Sequence, residues 1–310
     1  MNTIRELALH YSKSQPKQVD WLTENAPILD SMTFEPSTHG LKHAYEVLDE
    51  VTGGGFVNID ASLPDVDATS NLNWKELSII GGIHRCGEDK AKMLGGFNAY
   101  LAKKLPKIIK KTGMNAETAI IYNILMDFAH KNGKLVSATS SQSGNKYLSI
   151  LAVRWEEGEM GGLYDPNGFG NPNAGTDGLL DVLPISGGNL YEHDSRLKYG
   201  ARIKSYFGTL AVNPQNIAGI VNIDSTAVAP DTLAGQMDTM LAEARVGSGG
   251  RTVIYMHQKT LTKLVKFKAS QLIMTPPQTD INRVVASWNG TPIVTSYNFK
   301  DGTESPLTIA

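Results

Sequence analysis

Two glycine-containing loops have residue types and spacing that resemble ligand-binding motifs. Residues 247–252 read Gly-Ser-Gly-Gly-Arg-Thr, but they precede a predicted strand, whereas a phosphate-binding loop needs GxxxxGK[ST] at the start of a helix. Residues 165–170 begin like a calcium-binding loop. However, the fifth position is Phe169 and the twelfth is Thr176, where calcium needs a bidentate Glu. Both loops are interpreted as turns.

Two histidine-containing clusters could support catalysis: His84 with Cys86, and the run Glu192, His193 and Asp194. A thiolate nucleophile needs an imidazole against its sulfur and a third orienting group, which i, i+2 spacing does not supply. Cys86 is therefore interpreted as a buried structural residue. In the second cluster successive side chains point to different sides, so only two can converge. The sequence has neither HExxH nor GxSxG. We predict no catalytic residue, metal site or cofactor, so the chain is not expected to be an enzyme.

The composition is that of a chain with a substantial hydrophobic core. The 310 residues are 41% hydrophobic and 19% charged, which fits one large core or two medium ones and disfavours disorder. The net charge of −2 supplies no overall field for nucleic acid or an anionic membrane, so any such contact must be local. A single cysteine excludes an intrachain disulfide and fits a reducing compartment. No secretory pattern or membrane span is expected.

The first 38 residues are predicted to form an arm. Ile4, Leu7, Ala8 and Tyr11 have the i, i+3, i+4, i+7 spacing of an amphipathic helix. A helix this short is marginal alone, so we expect the arm to dock on the body of the subunit or on a neighbouring copy.

A long hairpin is predicted after the arm. Its strand-like segments are residues 41–47, 56–59 and 74–80, separated by the Gly53, Gly54, Gly55 run and the polar stretch 63–73. An isolated two-stranded ribbon buries too little apolar area to be stable. We therefore expect this hairpin to lie against a neighbouring copy.

Residues 90–132 contain the strongest helical pattern. Pro106 is expected to kink this region or to begin a helix there, and Asn115 is expected to cap a helix over 115–132 with a wide apolar face. Five lysines recur along one stripe: Lys103, Lys104, Lys107, Lys110 and Lys111. This stripe is either a solvated helix face or a contact with a polyanion, for which we hypothesise packaged DNA.

The second half of the chain is predicted to be a mixed α+β unit. Strands are expected at 147–153, 199–212, 217–223 and 252–256, with a helix over 231–244. Residues 156–200, rich in Gly, Pro and Asn, are predicted to be an inserted loop region.

The order of these elements resembles the major capsid protein of a tailed bacteriophage with the HK97-like fold, in its short-tailed-phage branch. The residues that carry the resemblance are 3–8 with 28–32, 41–80, 116–132, 207–224, 251–257 and 288–293. The resemblance implies the following division: N-terminal arm 1–38, extended E-loop hairpin 39–82, P-domain 83–155 with spine helix 115–132, inserted loop region 156–200, P-domain strands 201–230, A-domain 231–300 and C-terminal segment 301–310.

The implied function is self-assembly as hexamers and pentamers into an icosahedral shell around double-stranded DNA, touched weakly and without sequence specificity. Portal proteins and scaffolding or decoration proteins are the other implied partners, with no membrane. The expected location is the virion capsid, assembled in the host cytoplasm. An encapsulin-type compartment shell is the alternative with the same fold, and a cytosolic hydrolase using His193 or His84 is the alternative of another class.

Aromatic and aliphatic residues of the arm and hairpin are the predicted intersubunit contacts, although packing within the same chain is the alternative. They are Leu7, Tyr11, Trp21, Tyr45, Phe56, Ile59 and Trp74. Gly53, Gly54 and Gly55 are the predicted hinge that absorbs angular differences between hexamers and pentamers. Deletion of residues 1–34 is expected to leave a folded subunit that cannot assemble.

Overall fold

The computed structural model describes residues 2–11, 16–59, 61–139, 143–166, 180–227, 232–246, 251–267, 272–275 and 285–309. Most of the two glycine-containing loops, 165–170 and 247–252, lies outside the described residues.

The described residues form eight labelled helices. They are α1 Ile4–Tyr11, α2 Pro16–Thr23, α3 Pro27–Ser31, α4 Glu88–Met93, α5 Phe97–Ala119, α6 Met126–Lys131, α7 Leu233–Glu243 and α8 Gln258–Phe267.

The strands of the described residues are β1 Asn2–Thr3, β2 Thr33–Pro36, β3 Lys42–Thr52, β4 Asp67–Glu76, β5 Ser78–Gly87, β6 Leu135–Ser137, β7 Tyr147–Trp155, β8 Met160–Tyr164, β9 Asp181–Pro184, β10 Tyr191–His193, β11 Arg196–Ala211, β12 Ile217–Asp224, β13 Arg251–Met256, β14 Leu272–Thr275, β15 Val285–Trp288 and β16 Thr291–Thr295. They form two seven-stranded sheets and one two-stranded ribbon.

The central sheet has the strand order β14, β15, β16, β13, β7, β12, β6. β7 lies between β13 and β12 and is buried at all of its positions. Its consecutive side chains face opposite sides of the sheet, so Leu151 and Val153 join one hydrophobic cluster while Ile150 and Ala152 join the other. Because both faces are covered, β7 reads as a continuous apolar run, as the sequence predicted for 147–153.

The two faces of the central sheet are covered by different elements. On one face lie α7 and α8, which contribute Met237, Met240 and Leu264. On the other lie the arm and the long helix that includes α5. The predicted strand 252–256 and helix 231–244 are confirmed by β13 and α7. The sheet combines β7 and β12 with β13 and β16, so segments assigned to the P-domain and the A-domain share it.

One continuous helical segment extends well beyond the predicted spine helix 115–132. It begins at Phe97, runs through α5, passes through a π-helical turn at Ile120–Leu125 and ends with α6 at Lys131. Pro106 lies inside α5, and Asn115 does not cap a helix there. The prediction of a helix start near residue 115 was wrong, because Gly113 does not interrupt the helix: it permits a close crossing by α2.

The arm folds onto its own subunit. Ile4, Leu7, Leu22 and Leu29 are at most 1% exposed and join the hydrophobic cluster on the long-helix side of the central sheet. Strand β2 also pairs with β8, in parallel. Of the two docking surfaces expected for the arm, the structure uses the body of the same chain.

Deletion of residues 1–34 is now expected to prevent folding, contrary to the expectation from sequence that the truncated subunit folds. Each fully buried Leu or Ile contributes about 1.5–3 kcal/mol, so losing the arm's set removes an amount comparable to the 5–15 kcal/mol stability of a typical domain, on the order of the whole. Near-ultraviolet circular dichroism and thermal unfolding of the truncated chain measure this. A cooperative transition close to that of the intact chain would show that the arm is dispensable for the fold.

Gly113 allows the backbone of the arm to approach α5. A Cβ atom built at this position would lie 2.0 Å from the backbone oxygen of Leu22. Gly113→Ala should therefore destabilise the fold by about 2 kcal/mol, as for overpacked cores. Gly235→Ala in α7 is the control, since nothing lies within 4 Å of its Cβ position, and it should stabilise by about 0.5–1 kcal/mol. Urea unfolding compares the two. A Gly113→Ala variant that is as stable as the wild type, or more stable, would refute the close crossing.

The outer sheet includes three short strands from the region predicted as an inserted loop at 156–200. Its strand order is β1, β2, β8, β11, β10, and β5 and β9 also pair with β11. The long strand β11 thus pairs with the ten-residue strand β5 and with the shorter strands β8, β9 and β10. The loop prediction was wrong for β8, β9 and β10, because each of these strands of three to five residues is too short to show alternation but is stabilised by pairing with β11 or β2. Residues 167–179 of the predicted loop lie outside the described part of the chain.

The ribbon consists of β3, β4 and the residues between them. β3 and β4 pair with each other, antiparallel, with an irregularity between Leu48 and Glu50. The predicted strand 56–59 is absent from the described structure of this segment, and part of the polar stretch 63–73 forms β4 instead. Residues 78–82, assigned to the E-loop from sequence, belong to β5, which pairs with β11.

A buried carboxylate joins the arm, the long helix and the segment after β16. Glu117 of α5 is fully buried. Its Oε2 accepts hydrogen bonds from the backbone N–H groups of Ile28 at 2.8 Å and Leu29 at 3.3 Å. Its Oε1 accepts from Asn298 Nδ2 at 3.0 Å and from the Ser296 hydroxyl. Burial raises the pKa of Glu117, and these hydrogen bonds act in the opposite direction.

Candidate assembly surface

The ribbon tip, residues 53–66, exposes large apolar side chains. Phe56 and Ile59 are fully exposed, and Leu63 and Val66 are also exposed. In the adjoining strand β4, every residue except Lys75 is exposed, including Leu72 and Trp74. A contiguous exposed apolar segment on a ribbon that cannot support itself is typical of an interaction site. The structure thus leaves this part of the chain with no covering surface from its own described residues.

The ribbon carries an excess of negative charge between its two ends. Between His43 and Trp74 the sequence has six acidic residues and no lysine or arginine. The acidic residues are Glu46, Asp49, Glu50, Asp60, Asp65 and Asp67. The net charge of the whole chain, near zero, conceals this local excess. The gap in the distribution of basic residues is visible in the sequence, but the overall composition and net charge do not show it.

The predicted contact residues of the ribbon differ in exposure. Phe56, Ile59 and Trp74 are exposed, and the ring of Trp74 contacts that of His39 edge-on at 5.0 Å. Tyr45 is half-buried at the base of the ribbon, where it lines a cleft of about 180 Å³ with Phe128 of α6. Of the four predicted contact residues of the ribbon, Phe56, Ile59 and Trp74 are therefore the ones that expose surface to a neighbour.

The predicted contact residues of the arm do not form an exposed surface. Leu7 is buried in its own core at 1% exposure, so it is not available to a neighbour and that assignment is corrected. Its helical spacing, by which it was selected, fits an intramolecular core equally well. Trp21 is half-buried and packs against the same core. The side chain of Tyr11 lies outside the described part of the structure.

The predicted hinge glycines are not required by the backbone conformation. Gly53, Gly54 and Gly55 have no positive φ, and the nearest atom to a Cβ built at any of them is Val66 Cγ1, 3.7 Å from that of Gly54. Alanine would fit in this conformation. Their role as a hinge stays a prediction about other conformations of the ribbon.

The lysine stripe does not behave as one surface. Lys110 forms an ion pair with Glu24 at 2.5 Å and so ties α5 to the end of α2. Lys103, Lys104, Lys107 and Lys111 are exposed. Only these four have the accessibility that contact with a polyanion needs.

Neither histidine-containing cluster has the geometry of a catalytic centre. Cys86 is buried at 2% exposure with Phe97 and Ala201, as the structural interpretation predicted. His84 stacks on Tyr100 instead, with ring centroids 5.6 Å apart. Burial and then the charge of Lys104 lower the pKa of His84.

The second cluster lies on the exposed hairpin between β10 and β11. His193 Nδ1 is 2.7 Å from Asp194 Oδ2, which also binds Lys198 Nζ at 3.0 Å. The hydrogen bond from Lys198 is the main reason that the pKa of Asp194 is lowered. Two of the three side chains thus converge, but a general base needs a nucleophile within hydrogen-bonding reach, and the contacts described for His193 are Asp194, Lys198 and the ring of Tyr191.

Within the described residues, no group of three or more His, Cys, Asp or Glu side chains is placed to hold a metal ion. None of the described helices is both long enough and apolar enough to cross a membrane.

Comparison with known proteins gives matches in structure alone. No family model and no curated protein matches this sequence. A chain of bacteriophage Epsilon15 is 14% identical over 89% of this chain and 88% of its own, with a TM-score of 0.55. A chain of the bacteriophage JBD30 capsid is 9% identical over 94% of this chain and 98% of its own, with a TM-score of 0.56. The SrpI encapsulin of Synechococcus elongatus is 15% identical over 73% of this chain and 93% of its own, with a TM-score of 0.44. That TM-score is too low to bear on the fold or on function.

These two phage structures cover 89% and 94% of the chain. Their low sequence identity speaks to the fold alone. The chain has the HK97-like fold found in the capsids of tailed bacteriophages.

Proposed function

We propose that this chain is the major capsid protein of a tailed bacteriophage, and that it assembles as hexamers and pentamers into an icosahedral shell around double-stranded DNA. The observation that carries the proposal is the exposed ribbon with its apolar tip. On a subunit with two well-filled hydrophobic clusters, this one segment leaves Phe56 and Ile59 in solvent. A surface of this kind is stabilised when a second copy covers it.

The fold supports the proposal, since nearly complete coverage is shared with a phage capsid chain. A non-enzymatic role fits the contacts of His193, which is half-buried against Asp194 and Lys198, and the burial of Cys86. Assembly in a host cytoplasm and association with portal, scaffolding or decoration proteins belong to the same proposal.

Assembly of the purified chain tests the proposal. Analytical ultracentrifugation and negative-stain microscopy should show closed shells, alone or with the phage's own scaffolding protein. The ratio of nucleic-acid to protein absorbance in particles made during infection should show packaged DNA, which separates a capsid from an encapsulin. A chain that stays monomeric under all these conditions would remove the shell proposal and reopen the hydrolase alternative.

The exposed lysines of α5 are proposed to touch packaged DNA. Replacing Lys103, Lys104, Lys107 and Lys111 by Gln should lower the salt concentration at which DNA leaves the particles, because each neutralised phosphate contact contributes to the salt dependence of binding. Lys110 is left unchanged, since its ion pair with Glu24 supports the fold. Unchanged DNA content and salt sensitivity in the four-lysine variant would show that the stripe is only a solvated face.

A further inference from the structure

A strap, residues 300–309, is fastened to the central sheet and to the end of the long helix. The side chain of Asn222 in β12 holds the backbone of Leu307 through both of its polar groups. Its Oδ1 accepts from the Leu307 N–H at 2.9 Å, and its Nδ2 donates to the Leu307 carbonyl at 2.8 Å. At the end of the long helix, His130 Nε2 lies 3.0 Å from the carbonyl oxygen of Thr308. Specific hydrogen bonds therefore attach the strap to both elements.

The clamp at Asn222 uses an unusual backbone conformation. Asn222 is 1% exposed and has a φ of 59°, which is uncommon for any residue other than glycine. It lies where the register between β12 and β7 shifts, between Ile220 and Ile223. Such a conformation costs free energy and persists where the surrounding contacts require it. Here the side chain gains two hydrogen bonds to the strap.

Tyr122 connects the strap to the π-helical turn at Ile120–Leu125. Its hydroxyl donates to Glu304 Oε1 at 2.5 Å and accepts from the backbone N–H of Lys300 at 2.8 Å. Glu304 is 6% exposed, and its other oxygen accepts from the Ser149 hydroxyl. Burial and the charge of Glu304 raise the pKa of Tyr122, so the phenol keeps the proton that it donates. This one hydroxyl thus ties the turn to two points of the strap.

The π-helical turn determines which side chains α6 presents to its surroundings. The Met126 N–H donates to the carbonyl of Ile121, five residues back. An α-helix has 3.6 residues per turn, so one extra residue in a turn rotates everything that follows by about 100° around the helix axis. Residues of the turn line a cavity of about 250 Å³ beneath the strap and another of about 370 Å³ beneath the outer sheet. A change between π and α register needs free volume of this kind, because close-packed neighbours would block it.

The helix α6 forms one wall of the cleft at the base of the ribbon. Asp127, Phe128 and Lys131 line this cleft of about 180 Å³ together with Tyr45 of β3 and Lys75 of β4. A rotation of α6 by about 100° would carry Phe128 and its neighbours out of the cleft. The base of the ribbon would then lose the surface against which it lies.

We propose that Tyr122 is a positioning residue of the subunit: the strap holds its hydroxyl, the hydroxyl holds the turn in the π register, and that register fixes the orientation of the ribbon. Release of the strap frees the turn to adopt the α register, which rotates α6 and lets the ribbon move. The turn is the two-state element that carries this coupling. The importance of a fixed ribbon for assembly rests on the proposed shell function, whereas the coupling itself is a property of the single subunit.

Tyr122→Phe tests the proposal in the unassembled subunit, since it removes only the hydroxyl. Amide hydrogen exchange at residues 121–128 should become at least about tenfold faster relative to that of β7. Spin labels at Ser62→Cys in the ribbon and Thr239→Cys in α7 report the orientation of the ribbon by pulsed electron paramagnetic resonance. Their narrow distance distribution in the wild-type background should become broader or bimodal. The native Cys86 is 2% exposed, so it adds little labelling background.

Two further variants and a control make the assignment specific. Glu304→Ala removes the acceptor and should reproduce both effects, whereas Glu304→Gln keeps an acceptor oxygen and should restore most of the wild-type behaviour. The control is Tyr255→Phe, which also removes a buried hydroxyl with two partners, Ser31 and Trp155. It should lower the stability of the subunit and leave the distance between the labels unchanged.

Faster exchange at the turn with no change in the label distance would overturn the proposal, because Tyr122 would then be only a stabilising contact. Unchanged exchange in both Tyr122→Phe and Glu304→Ala would also overturn it, as would an equal change of label distance in Tyr255→Phe. Under the proposed function, Tyr122→Phe should also lower the yield of closed shells. Failure of the wild-type chain to form shells would contradict that function, while the measurements on the subunit would still decide the coupling.

Discussion

Replacement of Glu117 by Ala is expected to lower the free energy of unfolding by about 3 kcal/mol, since several buried donors lose their acceptor at once. Those donors include the backbone N–H groups of Ile28 and Leu29 and the amide of Asn298. They belong to the arm and to the segment after β16, so the substitution weakens both attachments to the long helix. Urea unfolding of the subunit measures the change.

The matched control for this prediction is Glu243→Ala. Glu243 has one charged partner, Lys134 at 2.6 Å, and half of its side chain is exposed, so its loss should cost less than about 1 kcal/mol. A Glu117→Ala subunit as stable as Glu243→Ala would contradict the role assigned to the buried carboxylate.

The pH dependence of the same site has a defined sign. Because burial raises the pKa of Glu117 above its ordinary value, the folded state holds the proton more tightly than the unfolded state. The stabilisation from protonating Glu117 is complete below the unfolded-state pKa and is lost as the pH rises through the folded-state pKa. Because Gln does not titrate, the free energy of unfolding of the wild type minus that of Glu117→Gln should be more positive at acidic than at neutral pH. An increase of this signed difference with rising pH would contradict the raised pKa.

Substitution of Phe56, Ile59 and Leu63 by Ser is expected to abolish shell formation while leaving the subunit folded. All three are exposed in the subunit, so their loss removes nothing from either hydrophobic cluster. Each buried side chain of this size contributes about 1.5–3 kcal/mol to an interface. The loss of all three should therefore lower the affinity between copies by several orders of magnitude. Sedimentation and unfolding measurements on the same preparation separate assembly from folding.

Asn58→Ala with Ser62→Ala provides the control within the same loop, because these side chains are polar and their replacement leaves the apolar set intact. The control should assemble normally. Normal shells from the triple Ser variant would show that the apolar tip is not an assembly contact.

The helices and strands of the second half were predictable because their apolar patterns are strong and local. Strand β7 is a continuous apolar run between two covered faces, and α7 places Leu233, Met237 and Met240 on one side. The ribbon was also predictable in kind, since glycines and polar residues separate its strands. The extent of β4 was not, because its outward side chains have no alternation when both faces are exposed.

The arm and the long helix show where sequence patterns stop being informative. An apolar stripe such as that of Ile4 and Leu7 has the same spacing whether it packs on its own chain or on a neighbour, so the choice between them needed the structure. Gly113 reads as a helix breaker but is a contact point with Leu22. Glu117 is one glutamate among many in the sequence, and its importance depends on partners 88 or more residues away.

Cryo-electron microscopy of shells assembled from the purified chain tests the central claim most directly. The account predicts closed particles in which residues 53–66 of each copy lie over a neighbouring copy, with the Phe56 and Ile59 side chains removed from solvent. Closed particles in which that segment stays in solvent, or folds back on its own subunit, would contradict it.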